Sequence, residues 1–131
     1  MDDANVPSLL SMPYLGYCKK EDTLYQHTRS FILSHHNPYY YQGTCASGIG
    51  SPHTPKNYIR HIALSMQGLT GTKEEAKKMI NLILETSNNE GLCHEGFNKD
   101  EPSEYTRSWF AWANSLFAEL VYQTYLSLIH I

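Results

Sequence analysis

Apolar residues recur along this chain at helical rather than strand spacing, in stretches separated by polar segments marked with Gly and Pro. Asn5 can cap a short first helix, with Pro7 in its first turn, Leu9, Leu10, Met12 and Leu15 along it, and a stop at Gly16. From about Glu21 to Ser34 a second helix places Leu24, His27 or Thr28, Phe31 and Ile32 on one stripe. A third, Lys56 to Gly68, carries Ile59, Ile62, Ala63 and Met66 with few charges, so it should be well buried. Thr72 followed by Glu75 is a capping box that opens a fourth helix, with Lys73, Glu74, Lys77 and Lys78 opposite Ala76, Met79, Ile80 and Ile83. The last helix, about Glu104 to Leu128, is apolar nearly all round through Trp109, Trp112, Phe117, Leu120 and Tyr125, and belongs in an interior. Long polar loops, Asn37 to Pro55 and Ser87 to Ser103, join these stretches. The order buried, amphipathic, buried, amphipathic, buried predicts an all-α protein, five helices of an (α/α) barrel whose chain passes alternately inside and outside.

Composition narrows the class. The 131 residues suit one domain or part of one, and 41% hydrophobic with 18% charged residues is a globular balance. Ten Lys and Arg against thirteen Asp and Glu, a net charge of −3, leave no basic stripe for a phosphate backbone, so a nucleic-acid partner is not expected. No apolar run is long enough to span a bilayer, and the first residues lack a signal peptide's basic and apolar regions, so no membrane association is expected. Cys18, Cys45 and Cys93 are odd in number and widely spaced, which favours a reducing, cytoplasmic setting over a disulfide framework.

Each buried helix is preceded by a polar segment: Asp2-Asp3-Ala4-Asn5, Ser51-Pro52-His53-Thr54, and His94-Glu95 through Arg107. If the inner helices run parallel, the three segments meet at one mouth, where helix N-termini offer free N–H groups to a polar ligand. Acids, a His, an Arg and aromatic rings there suit a sugar. His94-Glu95 is also half of an HExxH zinc motif, but Asn98 stands where the second His is required, and no metal is expected.

Three runs carry a resemblance: Asp2-Asp3-Ala4-Asn5-Val6-Pro7-Ser8-Leu9-Leu10, Gly48-Ile49-Gly50-Ser51-Pro52-His53-Thr54-Pro55 and Trp109-Phe110-Ala111-Trp112-Ala113-Asn114-Ser115-Leu116-Phe117. In order and spacing they resemble glycoside hydrolase family 125. The resemblance implies a metal-independent, cofactor-free exo-α-1,6-mannosidase, an (α/α)6 barrel that works by inversion on an α-mannoside glycan. It makes Glu95 the general base. The general acid, an Asp in the family, falls upstream of this sequence, so residues 1–131 read as a single partial domain, the C-terminal segment of the barrel. An inverting glycosidase sets two carboxyl groups roughly 6.5–9.5 Å apart, one protonating the leaving oxygen and the other activating water. The chain alone is therefore expected to lack turnover, and its open apolar faces to favour self-association. It departs from the family's usual pattern at Cys93, where Met is common, at Gly96, where Ser is common, and at Ser108, where Pro is common. Ser127 to Ile131 match nothing in the pattern.

The remaining candidates keep two readings each. Asp2, Asp3 and Asn5 either cap the first helix or bind sugar hydroxyls. His53, between two prolines, either bonds a carbonyl or touches ligand. His94 is assigned to the sugar site with Glu95. Arg107 needs a carboxylate such as Glu95 or a sugar hydroxyl. Trp109 and Trp112 are either core or sugar platforms, Trp109 lying nearer the mouth. Tyr39, Tyr40 and Tyr41 either stack on sugar or cover the rim.

Overall fold

The computed structural model describes residues 8–88 and 92–126. The expected cap at Asn5 and the tail from Ser127 lie outside them. The described chain contains four α-helices, α1 (Thr23–Ile32), α2 (His61–Leu69), α3 (Lys73–Thr86) and α4 (Ala111–Val121), the last continuing as a π-helix over Tyr122–Leu126. Between them run five short strands, β1 (Tyr40–Gln42), β2 (Ser47–Ile49), β3 (Tyr58–Ile59), β4 (Gly96–Asn98) and β5 (Tyr105–Thr106). β1 and β2 form an antiparallel hairpin with Tyr41 opposite Gly48. The other three make an antiparallel sheet in the order β3-β4-β5, pairing Ile59 with Phe97 and Phe97 with Tyr105.

The all-α expectation, part of an (α/α)6 barrel, is thus corrected to a mixed α and β architecture. Three of the strands fall in the two polar stretches read as loops, and β3 and β5 fall at the starts of stretches read as helices. Tyr, Ile, Phe and Thr fit a pleated surface, but the strands are two or three residues long, too short to display an alternating pattern. Ile59 also misled: three residues from Ile62, it fits a helical stripe, yet it sits in β3 with α2 beginning only at His61.

α2 is the central element. Leu64 belongs to a core built with Met79, Ile80 and Ile83 of α3, Leu120 of α4, and Ile59 and Phe97 of the sheet. Ala63 and Met66, on its other side, pack with Leu10, Ile32 of α1 and Ile49 of β2. The expectation of a well-buried third helix is met. α3 follows its sequence closely: the Thr72 hydroxyl accepts from the amide of Glu75, and Ala76, Met79, Ile80 and Ile83 face inward.

Elsewhere the helical reading needs adjustment. Residues 9–16 form successive turns instead of a helix; Pro13 has no N–H to give, and the Ser8 and Ser11 side chains bond each other and nearby main chain. Gly16 nonetheless ends the run at φ 86°. α1 is capped by Asp22 and buries Tyr25 and Ile32, leaving Leu24 and Phe31 of the expected stripe exposed. Polar anchors override that stripe: Tyr25 donates to the carbonyl of Leu10 at 2.6 Å, and Arg29 pairs with Glu75 at 3.0 Å and donates to the carbonyl of Gln67 at 2.7 Å. α4 is shorter than expected and fully buries only Ala113 and Leu120 along its length, with Trp112 73% exposed. Its all-round apolar surface is therefore covered on one side by the described residues.

Two glycines mark close approaches. A Cβ on Gly50 would collide with the main-chain oxygen of Tyr58, which cannot move without shifting β3, whereas a Cβ on Gly68 would meet the flexible tip of Leu120 at 2.8 Å. Gly50→Ala should therefore destabilise by about 1–3 kcal/mol. Gly68→Ala should lie nearer neutral, because about 1 kcal/mol of helix propensity opposes the crowding. Denaturant melts that rank the two equally would contradict this packing.

Candidate active site

The sheet carries the site. Cys93, His94 and Glu95 lead into β4, and the main chain is tied on both sides. The Phe110 amide donates to the carbonyl of Cys93 at 3.0 Å, the Cys93 amide donates to the Asn114 side-chain oxygen at 3.0 Å, and the Glu95 amide donates to the carbonyl of Thr106 at 3.1 Å. Arg60, buried just before α2, donates from Nε to the carbonyl of Glu95 at 3.3 Å. Arg60, at the N-terminus of α2, and the segment preceding α4 thus meet at Glu95. Burial pushes the Cys93 thiol up to about 12, which keeps it a neutral packing group.

The Glu95 side chain is 19% exposed, and Oε1 lies 3.5 Å from Nε of Arg107, whose side chain is 66% exposed. A pair this long and this open is worth little to stability, and it leaves the carboxylate partly exposed. Arg107 has φ 54°, a left-handed conformation rare for a residue with a side chain. Its guanidinium lies 5.9 Å from the centre of the Phe110 ring, and that of Arg60 lies 5.5 Å from the same ring. Phe110 is thus shared by two cations.

Beneath these groups lie two fully buried imidazoles. The His94 amide donates to Nδ1 of His61 at 2.8 Å, so that nitrogen carries no proton, and Nε2 of His61 donates to the Thr86 hydroxyl at 2.8 Å. Thr86 in turn donates to the carbonyl of Leu82 at 2.8 Å. Nδ1 of His94 faces the carbonyl of Arg107 at 3.2 Å and must donate, leaving Nε2 to accept from the Asn88 amide at 3.3 Å. Both tautomers follow from the partners. The His94 ring stacks on Tyr105 with centroids 3.9 Å apart. Burial, with the nearby His94 adding to it, lowers the pKa of His61 from 6.5 to about 3.

Of the expected site residues, the structure brings Glu95, His94 and Arg107 together. His94 has both ring nitrogens occupied in the interior. Trp109 is 59% exposed two residues beyond Arg107. His53 is exposed, its amide accepted by the Ser51 hydroxyl at 3.1 Å; its neighbour Thr54 lies against Gly96, where an added Cβ would stand 3.2 Å from the Thr54 methyl. Asp2, Asp3 and Asn5 lie outside the described residues. Arg60, His61 and Phe110 were missed as site groups; a charge next to a His inside the apolar run Tyr58 to Ala63 was the available signal. Among the described residues no three His, Cys, Asp or Glu side chains group as metal ligands, and no helix is long and apolar enough to cross a membrane.

A partly exposed carboxylate on hydrogen-bonded main chain, beside an open Arg, is one of the two carboxyl groups that a glycoside hydrolase site needs. The chain belongs to the metal-independent α-mannosidases of glycoside hydrolase family 125, whose family model matches residues 1–122. It is 45% identical over 123 residues to the meiotically up-regulated gene 157 protein of Schizosaccharomyces pombe, covering 92% of this chain and 24% of that protein. It also resembles a metal-independent α-mannosidase of Streptococcus pneumoniae, solved as a non-productive complex with α-1,6-mannobiose. That match has a TM-score of 0.93 and 53% identity over 95% of this chain and 29% of the other. The chain thus spans about a quarter of the length of these relatives.

The neutral His61 has a consequence in acid. Its unfolded-state pKa is the ordinary 6.5 and its folded value about 3, so between these the unfolded chain takes up a proton that the folded chain does not. Stability is then lost as pH falls from 6.5 towards 3, by about 1.4 kcal/mol per pH unit once well below 6.5. Urea melts from pH 7.5 to 4.5 should show the native chain losing this much relative to His61→Asn, which has nothing to titrate there. A constant difference across the range would mean that His61 is not held neutral.

Proposed function

We propose that this chain supplies the general base and part of the sugar-binding surface of an inverting, exo-acting α-1,6-mannosidase, residues 1–131 being one part of a larger catalytic domain. The observation that carries this is Glu95: a carboxylate 19% exposed, on main chain fixed by three elements, with one guanidinium beside it. Glu95 takes a proton from a water that attacks the anomeric carbon, and the glycosidic bond breaks on the opposite face as the leaving oxygen is protonated by an acid from elsewhere in the whole protein. Arg107 binds a sugar hydroxyl while keeping Glu95 aimed. Trp109 offers a platform for a sugar face. His53, Asp2, Asp3 and Asn5 are proposed as further contacts to mannose hydroxyls.

Coverage of only 24% and 29% of the two relatives favours a second statement about the isolated chain, that it retains sugar contacts and turns nothing over. An alkoxide is too basic to leave without a positioned proton donor.

A chimera in which this chain replaces the matched segment of the S. pneumoniae enzyme tests both statements with α-1,6-mannobiose. The chimera should release β-mannose first, and the chain alone should release none. Glu95→Gln should lower the rate by about 10²–10⁴-fold, the usual worth of a general base, with mannose binding retained because the amide keeps the shape. Near-normal turnover by Glu95→Gln, or α-mannose as the first product, would rule out the assignment.

A further inference from the structure

We infer that His61 is a positioning residue for this reaction: its Nδ1 fixes the main chain that carries Glu95, with His94 as the second member of the same device and not a sugar contact. The inference rests on the reading of Glu95 as the base. Around Glu95 three main-chain groups are held, two by the N-terminus of α2 and one by β5. The His94 amide goes to His61 at the start of α2, the Glu95 amide to Thr106 of β5, and the Glu95 carbonyl to Arg60. Of these, the bond to His61 is the deepest, since both imidazoles are fully buried.

His61 is anchored in turn by Thr86, on the last turn of α3, so the base is referenced to the helical core and not to its own loop. An imidazole suits this task. One ring must accept at Nδ1 and donate at Nε2 at the same time, which a neutral imidazole does and an ammonium or carboxylate does not. His94 repeats the arrangement with the opposite tautomer. Its Nδ1 proton bonds the carbonyl of Arg107, the residue held at φ 54°, whose guanidinium stands 3.5 Å from Glu95. One histidine thus places the base and the other its counter-ion, and the two rings stack at 5.4 Å. Any buried histidine must satisfy both ring nitrogens; what sets His61 apart is that its acceptor takes the amide of the residue next to the base.

The test uses the chimera described above with two substitutions. In His61→Gln the amide reaches Thr86 as Nε2 does but leaves the His94 amide without its acceptor. In His61→Asn a carbonyl stands near the place of Nδ1 and keeps that bond. His61→Gln should lower kcat by about 10²-fold, the order of loss from an ångström of misplacement, with KM little changed. His61→Asn should restore most of that rate although both variants melt at lower temperature. Equal kcat in the two variants would overturn the proposal. Glu95→Gln measured alongside separates the two ideas. If it remains active the base reading fails whatever His61 does, and if it is inactive while both His61 variants work normally, the positioning role alone is refuted. Should His61→Gln not fold, long-range proton–nitrogen NMR spectra of the native chain decide. Protonation of His61 at Nε2 and of His94 at Nδ1 supports the device, and either opposite tautomer overturns it.

Discussion

The hydrogen bond from the His94 amide to Nδ1 of His61 joins the sheet to the helical core, and the geometry of the site depends on it. Without an acceptor there, a buried amide would be left unsatisfied, at a penalty of about 1–3 kcal/mol. The imidazole that accepts cannot be protonated without losing the contact. Burial keeps it neutral, and Thr86 selects the tautomer. Packing, protonation state and orientation at this point are therefore one fact seen three ways. The helices supply apolar cover, and that cover holds the ring neutral enough to accept.

Much of this architecture was legible in residue spacing and some was not. α3 could be read from Thr72, Glu75 and its apolar stripe because an amphipathic helix with a side-chain cap is specified by its own residues. α1 was placed correctly in sequence but rotated, since Tyr25 and Arg29 find partners far along the chain, at Leu10, Gln67 and Glu75, and these outweigh the burial of Leu24. The strands were missed because two or three residues cannot show a period; their identity is fixed by partners such as Phe97 for Ile59, which spacing does not reveal.

The site was partly visible for a similar reason. Glu95 stood out through the family resemblance alone and Arg107 as a cation in need of a carboxylate, and the two are neighbours in space. Arg60 and His61 looked like the flank of a buried helix. His94 was assigned to the sugar, yet a ring with both nitrogens bonded in the interior has no free edge to offer. Gly96, a departure from the usual family pattern, has a local account. A side chain there would crowd Thr54, while the Thr106 hydroxyl, 3.5 Å from that added Cβ, is buried with no hydrogen-bond partner.

The tip of the hairpin is fastened to the far loop of the sheet: the Thr44 amide donates to the Asp100 carboxylate at 2.8 Å, and the amides of Cys45 and Ala46 both reach the carbonyl of Lys99. These contacts bridge 56 positions of sequence in the case of Thr44 and Asp100, and β3 must likewise wait for β4. Loop closure over such separations precedes any reward from the contacts it permits. As the polypeptide leaves the ribosome, α1, α2 and α3 emerge before either polar loop has its partner. The carboxylate and its arginine therefore emerge after α1, α2 and α3 and ahead of α4.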